Sequence, residues 1–172
     1  MKSKNKLVVF SLGAVLLMLS ASVYGQVHRS FIPGTVVFFA DDPNMGTWKL
    51  NEAKSHFSPG SPKNLTVVYE AAGDMIKVTV DGVDGEGKPT HNEWTGKFDG
   101  KDYPVTGDPT ADTRAYKRVN SRTLDLTNKK GGKVVVTGRI VVSADGRSRT
   151  VTTRGTNPKG KRVRNTAVYD KQ

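Results

Sequence analysis

The residues in this chain with chemistry to offer are arginines and tyrosines on alternating runs. Arg114, Tyr116 and Arg118 alternate on one such run. On a later one, Arg149 and Val151 share a face, while Thr150, Thr152 and Arg154 share the other. An arginine aimed inward beside tyrosines would hold an anionic head group, because its planar guanidinium offers paired donors to a carboxylate or phosphate. The same residue aimed outward is a solvated charge. Tyr69, Tyr103, Tyr116 and Tyr169 lie on four different runs, and Trp94 sits in the alternating stretch Asn92-Glu93-Trp94-Thr95. Rings that converge from several strands either line a cavity or fill it. The expected interior ligand-binding set is therefore Trp94, Tyr69, Tyr103, Tyr116, Tyr169 and Arg154.

Other chemistries find less support. The chain has no cysteine, which removes disulfides, Cys-ligated zinc and thiol catalysis. His28, His56 and His91 stand apart, and no Ser-His-Asp arrangement is visible, so no catalytic residue and no enzyme is expected. Gly155-Thr156-Asn157-Pro158-Lys159-Gly160-Lys161 begins like a phosphate loop. Arg162 then stands where Ser or Thr is required, and a strand follows instead of a helix. Asp81, Asp84 and Glu86 invite a calcium reading. Counting from Asp81 places Val83 and Gly85 at ligand positions, and counting from Asp84 places Lys88 there. No metal or cofactor is expected.

Short runs must position these side chains. The expected strands are an opening one at Trp48, then Asn64 to Glu70, Met75 to Val80, Thr90 to Phe98, Lys101 to Val105 and Thr113 to Val119. Thr123 to Lys129, Val134 to Val142, Ser148 to Gly155 and Val163 to Asp170 complete the series. Asp99-Gly100, Gly131-Gly132 and Asp145-Gly146 mark tight turns between them. The best helix candidate, Asn51 to Phe57, is one or two turns and stops before Pro59 and Pro62. No connection is long enough for a crossover helix, so neighbours should pair antiparallel. Nine or ten strands in a meander close most economically into a barrel, with a two-sheet sandwich as the other solution.

The front of the chain reads as an export signal. Lys2, Lys4 and Lys6 precede an apolar run from Leu7 to Leu19, and small residues follow up to Gly25. The run is shorter than the ~20 residues a membrane-spanning helix needs. The expected division is a signal peptide over 1–25, a flexible linker over 26–44 and one domain over 45–172. A cut after Ala40 is a second possible start, and the expected location is the periplasm or the exterior. Removing the signal takes the net charge from +11 to +8. The remainder is uneven: Gln26 to Thr113 carries 8 Lys/Arg against 13 Asp/Glu, a net of −5. Arg114 to Gln172 carries 16 against 3, a net of +13. Such a division implies one cationic side, either a solvated face or a binding surface. Only Tyr116 and Tyr169 supply rings in the basic half, too few for stacking bases, so nucleic acid is not expected.

Gly46-Thr47-Trp48-Lys49-Leu50-Asn51, Lys101 to Gly107 and the closing Ala167-Val168-Tyr169-Asp170-Lys171 together resemble small secreted bacterial proteins with a lipocalin-like fold. More widely they resemble the calycin group, which includes lipocalins and fatty-acid-binding proteins. The resemblance covers residues 45–172. It implies Gly46 and Trp48 as structural residues, with Trp48 sealing one end, and an interior that holds a small apolar or amphiphilic molecule. Fatty-acid-binding proteins clamp a carboxylate with an Arg-any-Tyr pair on the last strand. Here Ala167 precedes Tyr169 at that spacing, and Arg164, five positions away, falls on the opposite face. The clamp does not carry over. The expected function is thus non-catalytic binding of a small apolar or anionic ligand by a monomer. The alternative is a solid-cored barrel that meets anionic lipid or polysaccharide of the envelope through its basic half.

Overall fold

The structure, a computed structural model, describes residues 42–156 and 160–172. Ten strands make up the described fold: β1 (Gly46–His56), β2 (Lys63–Ala72), β3 (Met75–Val83), β4 (Pro89–Gly96) and β5 (Tyr103–Thr106), followed by β6 (Thr113–Asn120), β7 (Thr123–Lys130), β8 (Lys133–Val142), β9 (Ser148–Thr156) and β10 (Arg162–Lys171). Each pairs antiparallel with the next, and β10 returns to β1, so the meander closes into a barrel. Closure leaves no free edge on which another chain could template.

Period-two patterning explains the strands. On β3, Ile76, Val78 and Val80 are at most 3% exposed, whereas the intervening Lys77, Thr79 and Asp81 face solvent or are half-buried. Each inward aliphatic side chain contributes about 1.5–3 kcal/mol of transfer free energy, which holds the register against a one-residue slip. Two-residue turns at Gly73-Asp74 and Gly131-Gly132 then return the chain.

The expected helix over Asn51 to Phe57 is corrected. β1 continues to His56, with an irregularity in its pairing to β10. Asn51 lies opposite Val168 and His56 opposite Thr166, so β1 advances five steps while β10 advances two. The extra residues form a bulge. Its hydrogen bonds are those that resemble a helix start: Asn51 Oδ1 accepts from the Lys54 N–H at 3.2 Å, and Ser55 Oγ donates to the Asn51 carbonyl at 2.7 Å.

Asn44, expected at the end of a flexible tether, is fully buried at the end of the barrel where β1 begins. Its Nδ2 donates to Asp42 Oδ1 at 2.9 Å and to the Ser121 carbonyl at 3.4 Å, and Arg118 pairs with the Asp42 carboxylate. Trp48, 0% exposed, donates its Nε1 hydrogen to the Asn44 carbonyl at 2.9 Å. Residues 42–48 therefore stopper this end. Gly46, with φ of +96°, makes the turn into β1 in a backbone region that side chains disfavour. The expected signal peptide, the linker up to residue 41 and both cleavage points lie outside the described residues.

Candidate functional site

Four of the expected aromatic residues do converge. Tyr69 on β2, Trp94 on β4, Tyr116 on β6 and Tyr169 on β10 are each at most 3% exposed, in the stoppered half of the barrel. Trp94 meets Tyr116 edge-on with ring centroids 4.8 Å apart, and Tyr69 meets Tyr116 at 6.3 Å. Phe98, from the β4–β5 connection, joins the group at 5.7 Å from Tyr116. The Trp94 Nε1 hydrogen is donated to the Arg114 carbonyl at 2.8 Å, and Tyr169 donates its hydroxyl to the Asn64 carbonyl at 3.0 Å. Tyr103 packs against Trp94 at 5.8 Å but stays half-buried, with its hydroxyl on the Asp99 carboxylate at 3.0 Å. It belongs to the rim of the cluster.

Arg154 does not join them. It is exposed, opposite Thr137 on β8 and Arg164 on β10. The parity of β9 gives the reason. Arg149, Val151, Thr153 and Gly155 form its inward set, so Arg154 must point out. The interior arginine is Arg149, 2% exposed and directly opposite Tyr169. Its sequence signal was the shared phase with Val151, an apolar side chain that marks the inner face.

Arg149 lies against three rings. Its guanidinium carbon is 4.8 Å from the Trp48 centroid and 4.9 Å from those of Tyr69 and Tyr169. The ring quadrupoles attract the cation, by roughly 2 kcal/mol or more for a desolvated pair. Among the described residues Arg149 Nε and Nη1 nevertheless have no hydrogen-bond partner. Buried donors of a charged group are costly to leave unpaired, and arginine cannot shed its proton to relieve the cost. Burial pushes the Tyr169 hydroxyl up to about 12, with Arg149 pulling partly the other way. Tyr116 is raised as well, chiefly by burial. Both phenols are neutral donors at ordinary pH.

A second buried arginine was not anticipated in that role. Arg114, 6% exposed, donates from Nε to Asn128 Oδ1 at 3.0 Å and from Nη1 to Asn92 Oδ1 at 3.2 Å. Its Nη2 meets the Asp108 carboxylate at 3.2 Å. This arginine is satisfied and ties the β5–β6 loop over β4 and β7. The contrast with Arg149 is chemical: one buried cation has partners, the other has rings and two idle donors.

Exposure varies across the interior. Leu50, opposite Tyr169, and Leu126, opposite Tyr116, are only half-buried, as are the inward Val136, Val151, Thr153 and Val163. These inward side chains of β1 and β7 to β10 are therefore only partly shielded from solvent. At the end opposite the stopper a depression of about 740 Å³ opens between the β1–β2 connection and the β3–β4 turn, with Phe57 and Leu65 on its wall. The acidic turn beside it is held by its own backbone, since Asp84 Oδ1 accepts from the N–H groups of Glu86 and Lys88. Among the described residues no group of three His, Cys, Asp or Glu side chains is placed to hold a metal ion. His91 Nδ1 lies 2.7 Å from Asp81 Oδ1 on the outer surface, away from the aromatic cluster.

No protein-family model matches the chain, and no curated protein matches it. Among solved structures it is similar to a redesigned β-barrel, mFAP1, bound to DFHBI, at 14% identity and TM-score 0.43 over 75% of this chain and 95% of that one. It is also similar to a second redesigned β-barrel, at 14% identity and TM-score 0.43 over 76% of this chain and 92% of that one.

Proposed function

We propose that the chain is an exported, lipocalin-like binding protein that takes a small amphiphile with an anionic head, without catalysis. The observation that carries this reading is Arg149, a buried cation boxed by Trp48, Tyr69 and Tyr169 with Nε and Nη1 unpaired. A carboxylate, sulfonate or phosphate would complete those donors, and each charge-assisted hydrogen bond contributes about 1.5–3 kcal/mol. The half-buried inward side chains Leu50, Leu126 and Val151 supply an apolar wall for a tail that enters from the far end. Export rests on Lys2, Lys4, Lys6 and the apolar run to Leu19.

Two dyes of one skeleton test the reading. The full chain is titrated with 8-anilinonaphthalene-1-sulfonate and with N-phenyl-1-naphthylamine, which lacks the sulfonate. The expected result is saturable binding with roughly tenfold preference for the anion, equivalent to about 1.4 kcal/mol. Arg149→Met should abolish that preference. It should leave the fold intact or more stable, because an apolar side chain of similar length removes a buried unpaired charge. Absence of a saturable site for either dye, or an anion preference that survives Arg149→Met, would sink the proposal.

A further inference from the structure

We infer that the outer faces of β8, β9 and β10 form a second, external site for a linear acidic polysaccharide bearing sulfate or carboxylate groups. Arg154 on β9 lies directly opposite Arg164 on β10, and Arg162 follows two positions along the same face, opposite Thr156. Like charges placed directly opposite on neighbouring strands destabilise a sheet, because their Cβ atoms are only about 5 Å apart. All three side chains are exposed, and none forms an ion pair with a described residue. Nearby Arg139 differs: Asp125 holds it through contacts of 2.8 and 3.2 Å. A sheet that keeps three guanidinium groups side by side, with no described carboxylate paired to them, is primed for an anion with repeated charges.

The shape and lining select the class of anion. Arg154, Arg162 and Arg164 border a groove of about 470 Å³ together with Thr137 and Thr156. Thr137 and Arg154 also border an adjoining groove of about 570 Å³, whose wall adds Thr150 and Thr152. The two share Thr137 and Arg154, so they adjoin as a track over the outer faces of β7 to β10. Such a track suits a chain better than the flat surface of a bilayer. Thr137, Thr150, Thr152 and Thr156 border it beside the arginines, and their hydroxyls donate to and accept from sugar hydroxyls; Asp125, on the wall of the larger groove, is neutralised by Arg139. Among the described residues no aromatic side chain lines either groove, so they offer no stacking platform of the kind single-stranded nucleic acid requires.

The full chain is assayed for binding to dextran sulfate, to polygalacturonate, to neutral dextran and to vesicles of phosphatidylcholine mixed with phosphatidylserine. The two charged polymers separate sulfate from carboxylate recognition. Two triple variants are compared, Arg154→Gln/Arg162→Gln/Arg164→Gln in the track and Lys49→Gln/Lys117→Gln/Arg122→Gln elsewhere, with the same change in net charge. The expected result is salt-sensitive binding to at least one charged polymer and none to dextran. The track variant should lose about tenfold or more in affinity, and the control less than about threefold. Arg164→Gln alone should raise the melting temperature of the free chain, since it relieves the opposed pair. Equal losses in the two triple variants, vesicle binding without polymer binding, or no binding at all would overturn the inference. The anion preference traced to Arg149 should persist in the track variant, so the interior and exterior sites fail independently.

Discussion

Arg149 and Tyr169 face each other across one strand pair, and each is defined by what burial does to its charge. The arginine keeps its proton at any accessible pH. Tyr169 keeps its proton because burial disfavours the phenolate, which raises its pKa to about 12 from the ordinary 10.0. The direction of the pH effect follows. A group whose folded pKa is raised contributes stability below its unfolded pKa and loses it as pH climbs to the folded value. Tyr169 should therefore destabilise the fold progressively between about pH 10 and about pH 12, at up to about 1.4 kcal/mol per pH unit. Chemical denaturation across that range checks this, with Tyr169→Phe as the comparison. The variant should show a shallower fall, because phenylalanine has no proton to lose. Identical slopes in the two proteins would show that Tyr169 is not the group responsible.

At the level of the element, the barrel is least secure at β5. That strand has four residues and two registered pairs on each side, Glu93 and Trp94 with β4, Arg114 and Thr113 with β6. The β4–β5 connection supplements it, with the Gly100 N–H on the Tyr116 carbonyl at 2.9 Å and the Arg118 N–H on the Phe98 carbonyl at 3.0 Å. Gly96 permits this packing. A Cβ there would stand 2.6 Å from both Trp94 and Tyr103, and rings locked in an aromatic cluster have little room to yield. Gly96→Ala should cost about 1–3 kcal/mol and perturb the near-ultraviolet circular dichroism of the cluster. A stable variant with an unchanged aromatic spectrum would contradict this packing account. Other elements show how far the sequence could be read. Alternation and turn glycines placed the strand at Val134 to Val142 within one residue of the observed Lys133–Val142, because side-chain parity is local information. The bulge at Asn51 to His56 was opaque, since its local bonds resemble a helix start. The inner face of β9 depended on partners far along the chain. Parity separates Arg149 from Arg154, a single apolar side chain, Val151, hints at the inner face, and the pairing with Val142 and Tyr169 fixes it.

Across the whole molecule, the meander turns a division along the chain into a division in space. The acidic part supplies β1 to β5 and the basic part β6 to β10, so each becomes one side of the closed barrel. The two sides meet at the thin β5–β6 pairing and at the β1–β10 closure. That closure is formed last along the chain, between residues more than a hundred positions apart, and it completes the interior. β10 supplies Ala167 and Tyr169 to the core, and Asn51 Nδ2 donates to the Asp170 carboxylate at 2.7 Å. Without β10, both β1 and β9 would present unpaired edges and the Arg149 box would lose a wall. Deleting residues 162–172 should therefore abolish cooperative unfolding and shift the emission of Trp48 and Trp94 to the red as both become wet. Denaturation followed by tryptophan fluorescence, with sedimentation to detect edge-to-edge association, makes the test. A truncated chain that still unfolds in one sharp transition with blue-shifted emission would show that β1 to β9 hold the core alone, and that closure serves only to protect the edges.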